Sequence, residues 1–172
     1  MVKLSASFFT TIFITPLLFA VPVMAQSGDG PAQQAVQTID TGWQVICRPQ
    51  TADRAKLACS MLYEIASAKD RTRILSIEIV KQEKLRKLVV AAPLGVSLKD
   101  GVELVAGAEK VKLAFSGCQT NGCIASSDLP QKTLDAFKTA KAVSFEFIDA
   151  TGLKFRSEVS LVGFAPAFAK SE

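Results

Sequence analysis

Four cysteines and no histidine bound the chemistry open to this 172-residue chain. Without histidine, Ser-His-Asp and Cys-His catalysis are excluded within the chain. The zinc hydrolase sites that rely on His ligands go with them, as does imidazole proton switching near neutral pH. Cys47 and Cys59, and Cys118 and Cys123, lack the close paired spacing of zinc ribbons. Neither pair has the Cys-x-x-Cys form of an activated redox thiol. Both read as structural bridges. Four cysteines allow three pairings, and 47–59 with 118–123 is preferred because both are local. In the chain-entropy model such bridges stabilise by about 3 and about 2 kcal/mol.

The carboxylates offer little more. Glu78, Glu146 and Glu158 fall at outward positions of alternating runs, where solvent or cross-strand cations take them. A glycosidase needs two carboxyl groups converging on one bond. One Trp and one Tyr leave little aromatic surface for stacking sugars. Gly117 and Gly122 belong to the cysteine turn, so no phosphate loop is present. No catalytic residue, cofactor or metal is expected, and the chain reads as non-enzymatic. What remains is contact chemistry. Lys84, Arg86 and Lys87, with Lys81, gather at one hairpin end, where they either meet an anionic surface or discourage edge pairing. Phe164 and Phe168 in the tail either cap the core or dock on a partner.

The elements that position these residues follow from composition and period. Residues 1–25 read as a secretory signal. Lys3 gives the positive start, Phe8 to Phe19 the apolar run, and Val23-Met24-Ala25 the small-residue cleavage site. An uncleaved anchor is the alternative, against which Pro16 and Pro22 interrupt the run. Residues 26–41 are a flexible lead-in, poor in large apolar side chains. Residues 42–172 form the folded domain. The full chain carries a net charge of +4, too mild and unclustered to indicate nucleic acid. Export puts the cysteines in an oxidising compartment.

Trp43, Val45 and Cys47 alternate and share one strand face. Leu57 to Ala66, Arg73 to Val80 and Leu85 to Ala92 continue as strands, the second with Leu75, Ile77 and Ile79 on one face. Val102 to Val105 and Val111 to Phe115 lead into the cysteine loop. Asp128 is placed as N-cap of a short helix, with Gln131 three residues on and Leu134 and Phe137 buried. Val143, Phe145 and Phe147 form another strand. After the turn at Asp149-Ala150-Thr151-Gly152, Leu153 and Phe155 point inward. About eight strands and one short helix predict an all-β, antiparallel sandwich.

The ordered set of motifs resembles the invasion-associated locus B family of exported bacterial proteins. The residues that carry it are Gly42-Trp43-Gln44-Val45-x-Cys47 followed by Cys59, Pro93-Leu94-Gly95-Val96-x-Leu98-x-x-Gly101-Val102, Cys118-x-x-x-Gly122-Cys123-x-Ala125, and Ser160-Leu161-x-Gly163-Phe164. The resemblance spans about Gly42 to Phe168. It implies an immunoglobulin-like β-sandwich and export to the periplasm, with outer-membrane association or secretion as alternatives. In some pathogens it implies a contribution to host-cell invasion. It carries over no catalytic residue. The expected partner is an envelope or host protein, with peripheral membrane contact as a further expectation. A small-ligand (lipid) carrier and a carboxylate-based envelope enzyme are the rival readings.

Overall fold

The computed structural model describes residues 37–50, 53–82 and 85–172. The signal over residues 1–25, and the lead-in through residue 36, lie outside the described residues. The chain order is β1 (Thr38–Asp40), β2 (Gln44–Pro49), β3 (Leu57–Ser67), β4 (Arg73–Gln82), β5 (Leu85–Ala92), β6 (Val102–Ala106), β7 (Glu109–Gln119) and β8 (Gly122–Asp128). Then come α1 (Gln131–Thr139), β9 (Ala142–Ile148), β10 (Lys154–Ser160) and α2 (Phe164–Lys170).

One antiparallel sheet in the order β1-β3-β4-β5-β8-β7-β6-β9-β10 curls into two facing layers, with β2 beside β1 along β3. The shared strand is β7. Its first half, from Glu109 to Leu113, pairs with β6, and its second half pairs with β8. The partner changes between Leu113 and Ala114, and a register shift follows between Phe115 and Gly117, as bulges do where a strand must bend. The alternation read from sequence sets which faces meet. Leu75, Ile77 and Ile79 of β4 and Leu104 and Phe145 of β6 and β9 are all at most 2% exposed. Such side chains contribute about 1.5–3 kcal/mol each when buried.

The two edges of the curled sheet are joined by side chains. Leu153 and Lys141 carbonyls accept from Asp149 and Leu161 N–H groups. Odd-numbered residues of β10 therefore face β9, and the backbone groups of Ser160 face outward. Trp43, between β1 and β2, donates its indole Nε1–H to the Ser160 carbonyl at 2.9 Å. The Ser160 N–H donates to the Tyr63 hydroxyl at 3.4 Å. Trp43 rests on Tyr63 and Phe164, with ring centroids 5.2 and 5.0 Å apart. Phe137 of α1 meets Phe164 edge-on at 5.3 Å. The seam thus ties both layers and both helices together.

Four details differ from the sequence reading. The sheet begins at Thr38 rather than near Gly42, because β1 pairs with β3 from Thr38↔Ser67 to Asp40↔Ile65. Asp128 does not cap α1. It ends β8, and the Leu129 N–H continues the ladder to the Arg86 carbonyl at 2.8 Å, leaving Pro130 at the N-cap without a side-chain bond. A second helix, α2, forms in the tail. Leu153 and Phe155 are 44% and 39% exposed; Phe155 stacks on Phe147, but β10 is an edge with no further strand beside it among the described residues.

Two glycines of the family pattern have steric reasons. A Cβ on Gly101 (φ 71°) would sit 2.5 Å from the Leu113 carbonyl oxygen, and one on Gly122 (φ 136°) 2.5 Å from that of Ala92. Backbone approaches this close admit only glycine.

The seam predicts a large effect of one truncation. Trp43→Ala should lower the free energy of unfolding by about 3 kcal/mol, the low end of the range for deleting a large aromatic. Urea unfolding followed by far-ultraviolet circular dichroism measures it. A loss below about 1 kcal/mol, the level of an average substitution, would remove Trp43 from this role.

Candidate functional site

Both cysteine pairs sit on ladder rungs. Cys47 opposes Cys59 between β2 and β3, and Cys118 opposes Cys123 across the β7–β8 hairpin. Both bridges, 47–59 and 118–123, are formed, and no described cysteine is free. Directly opposed residues bring their Cβ atoms within bridging reach. The turn of the second hairpin is fastened by Arg73, whose guanidinium donates to the Asn121 carbonyl at 2.8 Å.

The three carboxylates singled out from sequence lie on different strands. Glu78 of β4 accepts from the Ser60 hydroxyl at 2.5 Å and from Arg48 at 3.1 Å. Glu146 of β9 is held between Lys154 at 2.5 Å and Arg156 at 3.3 Å. The Lys154 hydrogen bond, with the nearby Lys154, Arg156 and Lys110 charges, outweighs desolvation and holds the Glu146 carboxyl below its usual range. Glu158 of β10 is exposed. Glu78 and Glu146 belong to opposite layers, so they form no acid–base pair across a cleft. Among the described residues no cluster of acidic or cysteine side chains could hold a metal.

The predicted interaction residues are placed unevenly. Lys84 lies outside the described residues. Phe164, expected as a surface candidate, is instead fully buried in the aromatic seam. Phe168 is half-buried, with the Arg86 guanidinium over its ring at 5.1 Å and the Lys138 ammonium at 4.9 Å. Arg86 also ion-pairs with Glu172, and its side chain is only 13% exposed; burial pulls its pKa down. Lys81 reaches Glu172 as well, at 3.5 Å. Lys87 is half-buried and registers opposite Val80 and Asp128. The hairpin end and the tail, read separately from sequence, are thus one intramolecular contact. Aromatic–cation pairing of this kind is spent on the fold.

The surface that sequence reasoning missed lies at the far end of β5. Leu94 and Leu98, in the connection after β5, are 58% and 50% exposed. That connection is stitched to the β9–β10 turn. Ala150 N–H donates to Gly95 carbonyl at 2.8 Å, Ser97 N–H to Ile148 carbonyl at 2.7 Å, and Val96 bridges to Asp149. The exposed Leu153 closes that turn, and the exposed Phe155 follows it on β10. Asp149 folds the turn, accepting from Thr151 and Leu153. Four large apolar residues therefore stand exposed on two segments joined by backbone bonds. Their signal in the sequence was leucine inside Pro- and Gly-punctuated turns, positions that usually hold polar residues.

Two depressions open on the surface of the described residues. One, about 380 Å³, is lined by Arg48, Ala58, Cys59, Ser60, Glu78 and Val80. The other, about 230 Å³, is lined by Asp100, Glu103, Lys112, Glu146, Phe147 and Lys154. Ala58, Ser60, Glu78 and Val80, like Glu103, Lys112 and Glu146, stand on the outer faces of their layers.

Comparison with known proteins is consistent with this geometry. The family model for invasion associated locus B (IalB) protein matches residues 43–172. A crystal structure of invasion associated protein b from Bartonella henselae superposes with a TM-score of 0.67 at 17% identity, covering 75% of this chain and 89% of that one. At that identity the likeness shows a shared fold. No curated protein matches the chain.

The Glu146 environment predicts a pH dependence. Its folded pKa is lowered, so its stabilisation is present above the ordinary carboxylate pKa and is lost as pH falls through the folded value. Glu146→Gln should therefore be less stable than the parent at pH 7 and differ little from it near pH 2. Urea unfolding at the two pH values checks this; an equal difference at both would contradict it.

Proposed function

Because the chain belongs to the invasion-associated locus B family, we propose that it is an exported cell-envelope protein acting as a non-enzymatic binding module. Its protein-contacting surface is the apolar tip formed by Leu94, Leu98, Leu153 and Phe155. The observation that carries this reading is the exposure of those four side chains on two hydrogen-bonded segments. Clustered exposed apolar residues mark contact surfaces in folded proteins. The partner is an envelope protein or, as the name of the Bartonella relative suggests, one on a host cell.

Two disulfides in a chain of this size favour an oxidising compartment, which supports a periplasmic location, with outer-membrane association or secretion as the onward routes. The bridged cysteines and the ion-paired Glu78 and Glu146 support a binding role over a catalytic one. A carrier would need an apolar cavity between the layers. The two depressions described lie on outer faces, and the space between the layers holds Phe145, Phe164, Leu104 and Leu113, which supports protein binding over ligand carriage.

Cross-linking in intact cells, under non-reducing conditions and followed by mass spectrometry, tests the proposal. Lys99 and Lys154, which flank the tip, should link to one discrete protein. Leu98→Ser combined with Phe155→Ser should cut that product at least tenfold without unfolding the domain. Self-links alone, or a product indifferent to the variant, would contradict it.

A further inference from the structure

We propose that the opposite end of β5 docks on an anionic phospholipid bilayer. Leu57 opens β3 and Leu85 opens β5, and they are 60% and 61% exposed. Registers Pro49↔Leu57, Ser60↔Val80 and Gln82↔Leu85 place the β2–β3 and β4–β5 hairpins side by side at one end of a single layer. Each hairpin thus carries one exposed leucine at its outer end.

Around these leucines the charge is basic. Arg54 and Lys56 lie in the β2–β3 connection, Lys81 ends β4, and Lys87 follows Leu85 on β5. The end of α2 comes to the same place, since Glu172 reaches both Lys81 and Arg86, and Lys170 there is exposed. Most described carboxylates of this end are engaged: Asp53 with Lys56, Glu172 with Lys81 and Arg86, Glu78 with Arg48; Asp128, opposite Lys87 on the β5–β8 ladder, is the exception. Arg54, Lys87 and Lys170 have no ion-pair partner among the described residues. The apolar tip at the other end of β5 differs in this respect, because Glu146 and Asp100 offset Lys154, Arg156 and Lys99.

An exposed leucine ringed by lysine and arginine suits the interface of a charged bilayer. The leucine enters the acyl boundary while the long basic side chains keep their charges among the headgroups. Neither contribution is strong alone, and stable attachment needs both. The β5 strand, at about 3.3 Å per residue, then holds the apolar tip roughly 25 Å from the membrane. The inference rests on the envelope location proposed above, but not on the protein-binding tip.

Sedimentation of the purified, disulfide-intact protein with vesicles tests it, using equal parts phosphatidylglycerol and phosphatidylcholine against phosphatidylcholine alone. Binding to the anionic vesicles only, weakened by added salt, is expected. Arg54→Gln with Lys87→Gln should lower the partition coefficient by about twenty-five-fold, at about fivefold per basic residue. Leu57→Ser with Leu85→Ser should lower it at least tenfold, with circular dichroism unchanged because both side chains are exposed. Leu98→Ser with Phe155→Ser should leave vesicle binding intact. No anionic binding, equal binding to both vesicle types, or binding indifferent to the Leu57 and Leu85 changes would overturn the inference. Loss of vesicle binding with the tip variant would overturn it too, by moving the membrane contact to the other end. Failure here with a protein cross-link retained at the tip would leave the binding-module reading standing.

Discussion

The hydrogen bond from Trp43 to Ser160 is the constraint on which the rest of the domain depends. A ten-stranded sheet that curls has two edges, and each presents backbone groups that must be paired or wetted. Here one edge lends an indole and a phenol to the other, so both backbone groups of Ser160 are met by side chains. The next residues, Leu161 to Phe164, must then turn back. The turn puts Phe164 onto the indole and leads into α2. Phe137 of α1 meets the same ring. Closure, both helices and the burial of the seam are therefore one event.

That closure leaves the strand ends uncovered at both poles of the layers. The layers are fastened by the Trp43 seam, by β7 passing between them and by two bridges on ladder rungs. Rigid strands then present short connections at each end. At one, apolar side chains stand on backbone-bonded turns; at the other, leucines stand among cations. Residues that looked available in the sequence, Arg86 and Phe168, are occupied with each other and with Glu172 and Lys138.

Much of the scaffold was legible in the sequence. Strands with one buried face announce themselves by alternation, and β4, with Ile77 inward and Glu78 outward, is the clearest case. The local cysteine pairing was legible because 47 and 59, and 118 and 123, bracket hairpins. Four things were not. The first strand is three residues long and pairs with the distant end of β3, so its period is too short to register. Helix α2 is only seven residues long, so the spacing of Phe164, Ala167 and Phe168 covers too few turns to register, and Pro166 in its first turn reads as a breaker although the missing N–H costs nothing there. The fate of Phe164, Phe168 and Arg86 depends on contacts between elements far apart in the chain, which spacing does not encode. The apolar tip escaped notice for the same reason, because Leu94 and Leu153 come together only through the bridge of Val96 to Asp149.

The seam can be tested through its phenol. Tyr63 is the only tyrosine of the chain, so phenolate absorbance reports it alone. Burial, aided by the Asp40 carboxylate and opposed by the Ser160 hydrogen bond, pushes its pKa from 10.0 up to about 12. A raised value stabilises the fold fully below the ordinary pKa and is lost as pH rises through the folded one. An ultraviolet titration with circular dichroism recorded in parallel is therefore the most direct measurement. The phenol of the folded protein should stay protonated past pH 11, and Trp43→Ala should bring its midpoint down towards 10. A midpoint near 10 in the intact folded protein would mean that the two edges are not closed over Tyr63, and would contradict the account.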